Sequence, residues 1–110
     1  IRPALDSTLG GFWEKYGKPV LICEFGADAV AGMHSEYPLM WSEEYQLELI
    51  ERVLDAAATH PFVIGTHVWN FADFKVGQHP GRVMLNHKGV FTRDRAPKLA
   101  AHALRRRWSA

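Results

Sequence analysis

Apolar residues along this chain fall into two kinds of stretch: some recur every third or fourth position, others run without a break. Leu5, Leu9, Phe12, Trp13 and Tyr16 follow steps of three and four. This predicts a helix over residues 3–16, weakened by the paired Gly10 and Gly11 and stopped by Gly17-Lys18-Pro19. Val20-Leu21-Ile22-Cys23 is a continuous apolar run, the pattern of a strand covered on both faces. It ends abruptly in Glu24-Phe25-Gly26. Ser42 predicts a helix N-cap, with Glu43 and Glu44 in the first turn to complement the dipole. Behind them Leu47, Ile50, Leu54 and Ala57 hold a helical stripe widened by Leu49 and Val53, and His60-Pro61 closes it. Residues 62–71, rich in β-branched and aromatic side chains, predict a second buried strand. Pro97 opens a last helix with Ala100, Ala103, Leu104 and Trp108 expected to face inward.

The predicted order is helix, strand, helix, strand, helix, which signals βα units around a parallel sheet. No internal repeat or linker divides residues 1–110. Two parallel strands cannot cover both of their own edges, so the chain reads as part of a barrel or of a doubly wound sheet. Between the first strand and the second predicted helix lies a loop over residues 27–41. Loops of that length in compact domains usually serve a function, and His34, Tyr37, Met40 and Trp41 argue that this one is ordered.

Composition narrows the classes. A chain of 110 residues makes one small domain or a piece of a larger one, and 47% hydrophobic residues with four Trp require a packed interior. With 13 basic against 12 acidic residues the net charge is +1, which gives no general attraction to nucleic acid or acidic membranes. Arg105-Arg106-Arg107 is the solvated end of a helix, where cations meet the dipole favourably. No apolar run approaches the roughly 18 residues of a membrane span. Cys23 is the only cysteine, so no internal disulfide is possible, and it is expected to be a small buried hydrophobe. The six histidines have no metal-binding spacing, and no metal or cofactor is expected. The chain opens Ile1-Arg2-Pro3 without Met and is expected to be processed, truncated or excised. No signal peptide is read. A cytoplasmic location is expected, or a lysosomal one for a eukaryotic source.

Glu24 is the first candidate for chemistry. A carboxylate at a strand end is often merely solvated, but in α/β barrels the catalytic groups sit at the C-terminal ends of strands. Val20, Ile22 and Glu24 share one parity, so Glu24 is expected to project into the barrel axis while Leu21 and Cys23 face the helices. Retaining glycoside hydrolysis needs two carboxyl groups roughly 5–5.5 Å apart. Asp28, Glu36 and Asp73 are conceivable partners, yet none ends a separate strand opposite Glu24. Trp69 shares parity with His67 and Gly65, so it is either a core residue or an apolar wall for a sugar ring. His67, one step deeper, reads as a hydrogen-bonded core histidine. The segment 82–89 carries Arg82, Asn86, His87 and Lys88. It is an ordinary polar loop, or an anion site where Lys88 supplies a point charge and Asn86 an amide donor, suited to a carboxylate.

These segments together resemble the C-terminal part of the catalytic barrel of glycoside hydrolase family 2, and most closely its β-glucuronidases. The resemblance rests on Ile22-Cys23-Glu24-Phe25-Gly26, on His34-Ser35 with Met40-Trp41-Ser42-Glu43-Glu44-Tyr45-Gln46, on Val68-Trp69-Asn70-Phe71-Ala72-Asp73-Phe74, and on residues 86–95 from Asn86 to Arg95. It implies an α/β fold: a C-terminal fragment, about the last two βα units, of a TIM (β/α)8 barrel. By this resemblance Glu24 is the nucleophile on the seventh strand and Trp69 the active-site Trp on the eighth. Arg82 is then a substrate-facing loop arginine, and Asn86 with Lys88 the pair that receives a glucuronate carboxylate. Related β-galactosidases share the Glu but are not expected to carry that pair. The family's acid/base belongs to an Asn-Glu pair after the fourth strand, and no such dipeptide occurs in this sequence.

The expected function is retaining hydrolysis of β-D-glucuronides by a longer parent, with these 110 residues inactive alone and self-associating as a homo-oligomer through bare strand edges. Another family 2 hydrolase such as a β-galactosidase, or a non-catalytic structural module, are the alternatives.

Overall fold

The computed structural model describes residues 1–109. Helix α1 (Arg2–Tyr16) leads into strand β1 (Val20–Phe25), then α2 (Glu43–Thr59) and β2 (Val63–Val68). Two short strands follow, β3 (Phe74–Lys75) and β4 (Leu85–Asn86), and α3 (Leu99–Trp108) ends the chain. β1 and β2 pair in parallel, and β3 and β4 form a small antiparallel hairpin.

The helices form where local signals place them. Gly17 ends α1 in the left-handed region at φ 55°, its N–H bonded to the Trp13 carbonyl. Two internal glycines lower the helix propensity of α1, so it depends on α2. Leu9 is buried, Arg2 donates to the Thr59 hydroxyl at 3.0 Å, and Asp6 meets His60 at 2.8 Å. The hydroxyl of Ser42 caps α2 by accepting the Tyr45 N–H at 3.2 Å. The core lies between the helices and one face of the sheet: Ile50, Leu54, Val90, Ala100, Ala101 and Leu104, with Phe25, Val68 and Phe91 packed on them.

Strand parity does not survive as expected. Ile22 pairs with Thr66 and Phe25 with Val68, so β1 spends three steps where β2 spends two. That is a bulge at Cys23 and Glu24. Val20, Ile22 and Phe25 are half-buried, whereas Leu21, Cys23 and Glu24 are exposed. Val20 and Ile22 therefore share the helix-covered side with Phe25, not the open side with Glu24. Cys23 is exposed rather than a buried hydrophobe. Glu24 still reaches the open face, but through the bulge and not through alternation. On β2, His67 and Trp69 are exposed and Val68 is half-buried, so their shared parity holds; His67, however, is no core histidine.

Two boundaries and the placement of Trp108 also differ. β2 stops at Val68 because the chain changes partners: Trp69 N–H still reaches Phe25 O at 2.8 Å, but Asn70 N–H bonds Lys88 O at 3.0 Å. Lys98, not Pro97, stands at the N-cap of α3. Trp108 is 61% exposed, because the last turn of α3 runs past the core and is tied at the surface by Arg107 to Asp55, at 2.8 Å. No helix among the described residues is long and apolar enough to cross a membrane.

Candidate functional site

The site forms where β1 and β2 end. Glu24 is exposed there, with no hydrogen bond or ion pair to its carboxylate among the described residues. Gly26 follows so close to the Trp69 carbonyl that any Cβ would collide with it, which explains why the chain turns on a glycine. Trp69 stands beside the strand end, 40% exposed, its ring edge-on to Phe74 at 6.1 Å between centroids.

Beyond Gly26 the loop folds back on itself and on the hairpin. Val30 N–H bonds Trp41 O, and Ala29 N–H bonds His87 O, each at 2.9 Å. Asp28 gathers the cations: its Oδ2 lies 3.5 Å from Arg82 Nη1 and 3.5 Å from Lys88 Nζ, while its Oδ1 accepts the His87 N–H at 3.1 Å. The Asn86 Oδ1 accepts the Lys88 N–H at 3.0 Å, a local turn that leaves the amide nitrogen without an acceptor among the described residues. Lys88 lines a cavity of about 220 Å³ together with Gly26, Ala27, Asp28, Trp41 and Tyr45. Two guanidinium or ammonium groups share one carboxylate, so the cluster carries one formal positive charge in excess. It can take up one more carboxylate.

A second polar layer lies beneath, built largely from residues to which the sequence assigned other roles or none. Gln46, on α2, is 0% exposed and donates to Ala27 O at 3.0 Å and Gly89 O at 2.9 Å. Asp73 is buried and accepts Gly89 N–H at 3.0 Å and Lys98 Nζ at 2.8 Å. Glu43, expected only to complement a helix dipole, bonds the N–H groups of Gly32 and Leu99, each at 2.8 Å. A Cβ on Gly89 would strike backbone atoms of Ala72, Asp73 and Phe91. Lys98 was invisible to sequence reasoning because an isolated lysine before a helix normally faces water.

At the outer end of the loop, His34 Nδ1 meets Glu44 Oε1 at 2.8 Å, and Ser35 N–H donates to Glu44 Oε2 at 3.1 Å. The hydrogen bond that its ring donates to the Glu44 carboxylate holds His34 above the usual imidazole range. For Glu44 the strongest single influence is burial, which pushes its carboxyl up. The hydrogen bonds from His34, its own N–H and Ser35 together outweigh it, so the carboxyl lies low.

The structure thus joins Arg82, Lys88 and Asn86 on one hairpin and loop around Asp28, with Glu24 two residues before the cavity wall at Gly26. Asp28 and Asp73 are committed to cations, so neither is free to serve as a second carboxyl for Glu24, and Glu36 stands exposed in the loop.

Comparison with known proteins gives the family. The family described as "Glycosyl hydrolases family 2, TIM barrel domain" matches residues 4–110. The chain is 51% identical over 108 residues to a β-glucuronidase of Paenibacillus borealis, covering 98% of this chain and 18% of that protein. It is 47% identical to the Rattus norvegicus β-glucuronidase, of which it spans 17%. Among solved structures, the β-D-glucuronidase of Dictyoglomus thermophilum superposes with a TM-score of 0.96 at 50% identity, over 99% of this chain and 19% of that one. The Bifidobacterium dentium β-glucuronidase in complex with coumarin-3-O-glucuronide gives 0.93 at 46% identity, over 99% of this chain and 17% of that one. The chain therefore spans less than a fifth of the relatives it matches.

Proposed function

This chain belongs to glycosyl hydrolase family 2, as part of its TIM barrel domain, and from that premise we propose that it is the nucleophile-bearing and uronate-binding part of a retaining β-glucuronidase. The observation that carries the reading is the Asp28–Arg82–Lys88 cluster, with one positive charge to spare beside a cavity at the end of β1. A glucuronide differs from a neutral glycoside by a carboxylate, and this cluster suits that difference. The β-glucuronidases similar to the chain support the same substrate class.

In the proposed mechanism Lys88, through its ammonium, and Asn86, through its free amide nitrogen, hold the sugar carboxylate. Arg82 adds positive potential. Trp69 presents an apolar wall to the ring. So oriented, the anomeric carbon is attacked by the Glu24 carboxylate, forming a glycosyl–enzyme ester as the aglycone leaves. The acid that protonates the leaving oxygen, and later deprotonates the incoming water, comes from another part of the longer protein. These 110 residues by themselves turn over no glucuronide.

A mechanism-based trap tests the assignment. The full-length protein incubated with an activated 2-fluoro-glucuronide should gain one sugar mass on the peptide containing Glu24. An adduct elsewhere, or an undiminished one in Glu24→Gln, removes Glu24 from the nucleophile role.

A further inference from the structure

Lys98 touches neither the cavity nor Glu24, yet it is 1% exposed. Withdrawing an ammonium that far from water is costly unless every donor is satisfied. All three are. Nζ lies 2.7 Å from Ala29 O, 2.8 Å from Asp73 Oδ1 and 3.0 Å from His87 O, three acceptors for three N–H bonds.

Those acceptors come from three separate segments: the loop after β1, the residues after β2, and the turn that carries Asn86 and Lys88. The His87 carbonyl also accepts the Ala29 N–H at 2.9 Å, so it is engaged twice. On the far side of the turn, Gly89 N–H is fixed to the same Asp73 Oδ1 that Lys98 holds, at 3.0 Å. The peptides on both sides of Lys88 are therefore tied to one buried ion pair.

We infer that Lys98 is a positioning residue for uronate recognition: its ammonium fixes the His87 and Gly89 peptides so that Asn86 and Lys88 converge on one carboxylate. This rests on the reading of Asn86 and Lys88 as the uronate pair. Lys98 acts through the loop and never meets the substrate. Its effect is selective, because the carboxylate is the only part of the sugar that depends on the turn's geometry. A group that merely stabilised the fold would lower the melting temperature and depress all substrates alike.

The test is made in the full-length protein with Lys98→Met, nearly equal in length but without charge or donors. On folded enzyme, verified by its melting curve, KM for an aryl β-glucuronide should rise about tenfold or more, the range typical for residues that support a binding group. The kcat should change far less, and kcat/KM for the matching aryl β-glucoside should stay within about twofold. A glucuronide-to-glucoside ratio that holds in folded Lys98→Met overturns the inference. If that variant does not accumulate folded, Lys98→Gln is measured instead. Its amide ends one bond short of these acceptors and carries no charge, so the ratio should fall there too, and an unchanged ratio overturns the inference. Lys88→Ala, run in parallel, separates the two failures. A ratio that collapses there but not in the Lys98 variants sinks only the positioning role. A ratio unmoved in both sinks the uronate reading as well.

Discussion

The two ends of the polarity scale sit on opposite sides of the same two strands. Where β1 and β2 end, most buried polar groups find partners within the chain. The Gln46 amide nitrogen, the Asp73 carboxylate and the Lys98 ammonium bond the loop carbonyls and amides above them, while Gln46 Oε1 and Asn70 Oδ1 have none among the described residues. On the open face and its rim, Leu21 is 48% exposed, Ile64 71% and Trp69 40%, and Glu24 has no partner among the described residues. The turn that carries Asn86 and Lys88 is thus held within the chain, while the surface around Glu24 is left open. The turn needs only hydrogen bonds and one ion pair to groups of this chain, drawn from segments distant in sequence. A barrel interior needs the other strands to cover it.

Substitutions on each side should break this contrast or sharpen it. The largest effect is expected from Gly89→Ala, whose Cβ would press on backbone atoms of Ala72, Asp73 and Phe91. Backbone cannot move aside like a side chain, so about 3 kcal/mol of stability should be lost, read from urea unfolding of the full-length protein. A stable Gly89→Ala would mean the turn is far more plastic than its bonding suggests. Next comes Lys88→Ala, where loss of a charge-assisted contact of about 1.5–3 kcal/mol and an unmatched carboxylate should cut the glucuronide-to-glucoside ratio of kcat/KM roughly a hundredfold.

On the bare side, Ile64→Lys should change stability by no more than about 0.5 kcal/mol, as at other exposed positions. The self-association expected of the 110-residue chain should be present in sedimentation velocity and weakened by this variant, since it places a charge in the apolar surface. Unaltered association would locate the contact elsewhere. The smallest effect concerns the loop anchor. His34 titrates above its usual 6.5 when paired with Glu44, so its contribution is present at lower pH and lost as pH rises through the raised value. Glu44 titrates below its usual 4.5, so its share is lost as pH falls through that lowered value. Hydrogen exchange of the Ser35 amide should be slowest, relative to intrinsic rates, between those limits, and His34→Gln should remove the upper one.

Much of this was legible in the sequence for a physical reason: local signals decide local structure. Ser42 caps α2 and His60 ends it as read, because caps and apolar stripes act within a few residues. The same holds for the parity of His67 and Trp69. What escaped depends on partners distant in the chain. The bulge at Cys23 and Glu24 exists only in relation to β2, so alternation assigned Val20 and Ile22 to the wrong side and buried Cys23. The hairpin of β3 and β4 has only two residues in each strand, too few to set up a period. Lys98 and Gln46 become interpretable only once three loops meet over them. The barrel assignment came from the motifs around Glu24, Trp69 and Asn86 rather than from periodicity, and the family match over residues 4–110 bears it out.

The irregularity in β1 carries an engineering consequence. Regular strands are the usual aim when a sheet is stabilised by redesign. Here, one residue inserted into β2 opposite the bulge would restore one-to-one pairing from Ile22 to Phe25, leaving only the second register shift between Val20 and Leu21. It would also rotate the Glu24 carboxylate half a turn, out of the open face and into the layer occupied by Phe25, Ile50 and Leu54. A charge in that layer is costly to bury, and a neutral acid there is no nucleophile. Under the proposed nucleophile role of Glu24 the tidier sheet would be an inert one, and the misfit between the two strands is what stability-guided design would be the first to erase.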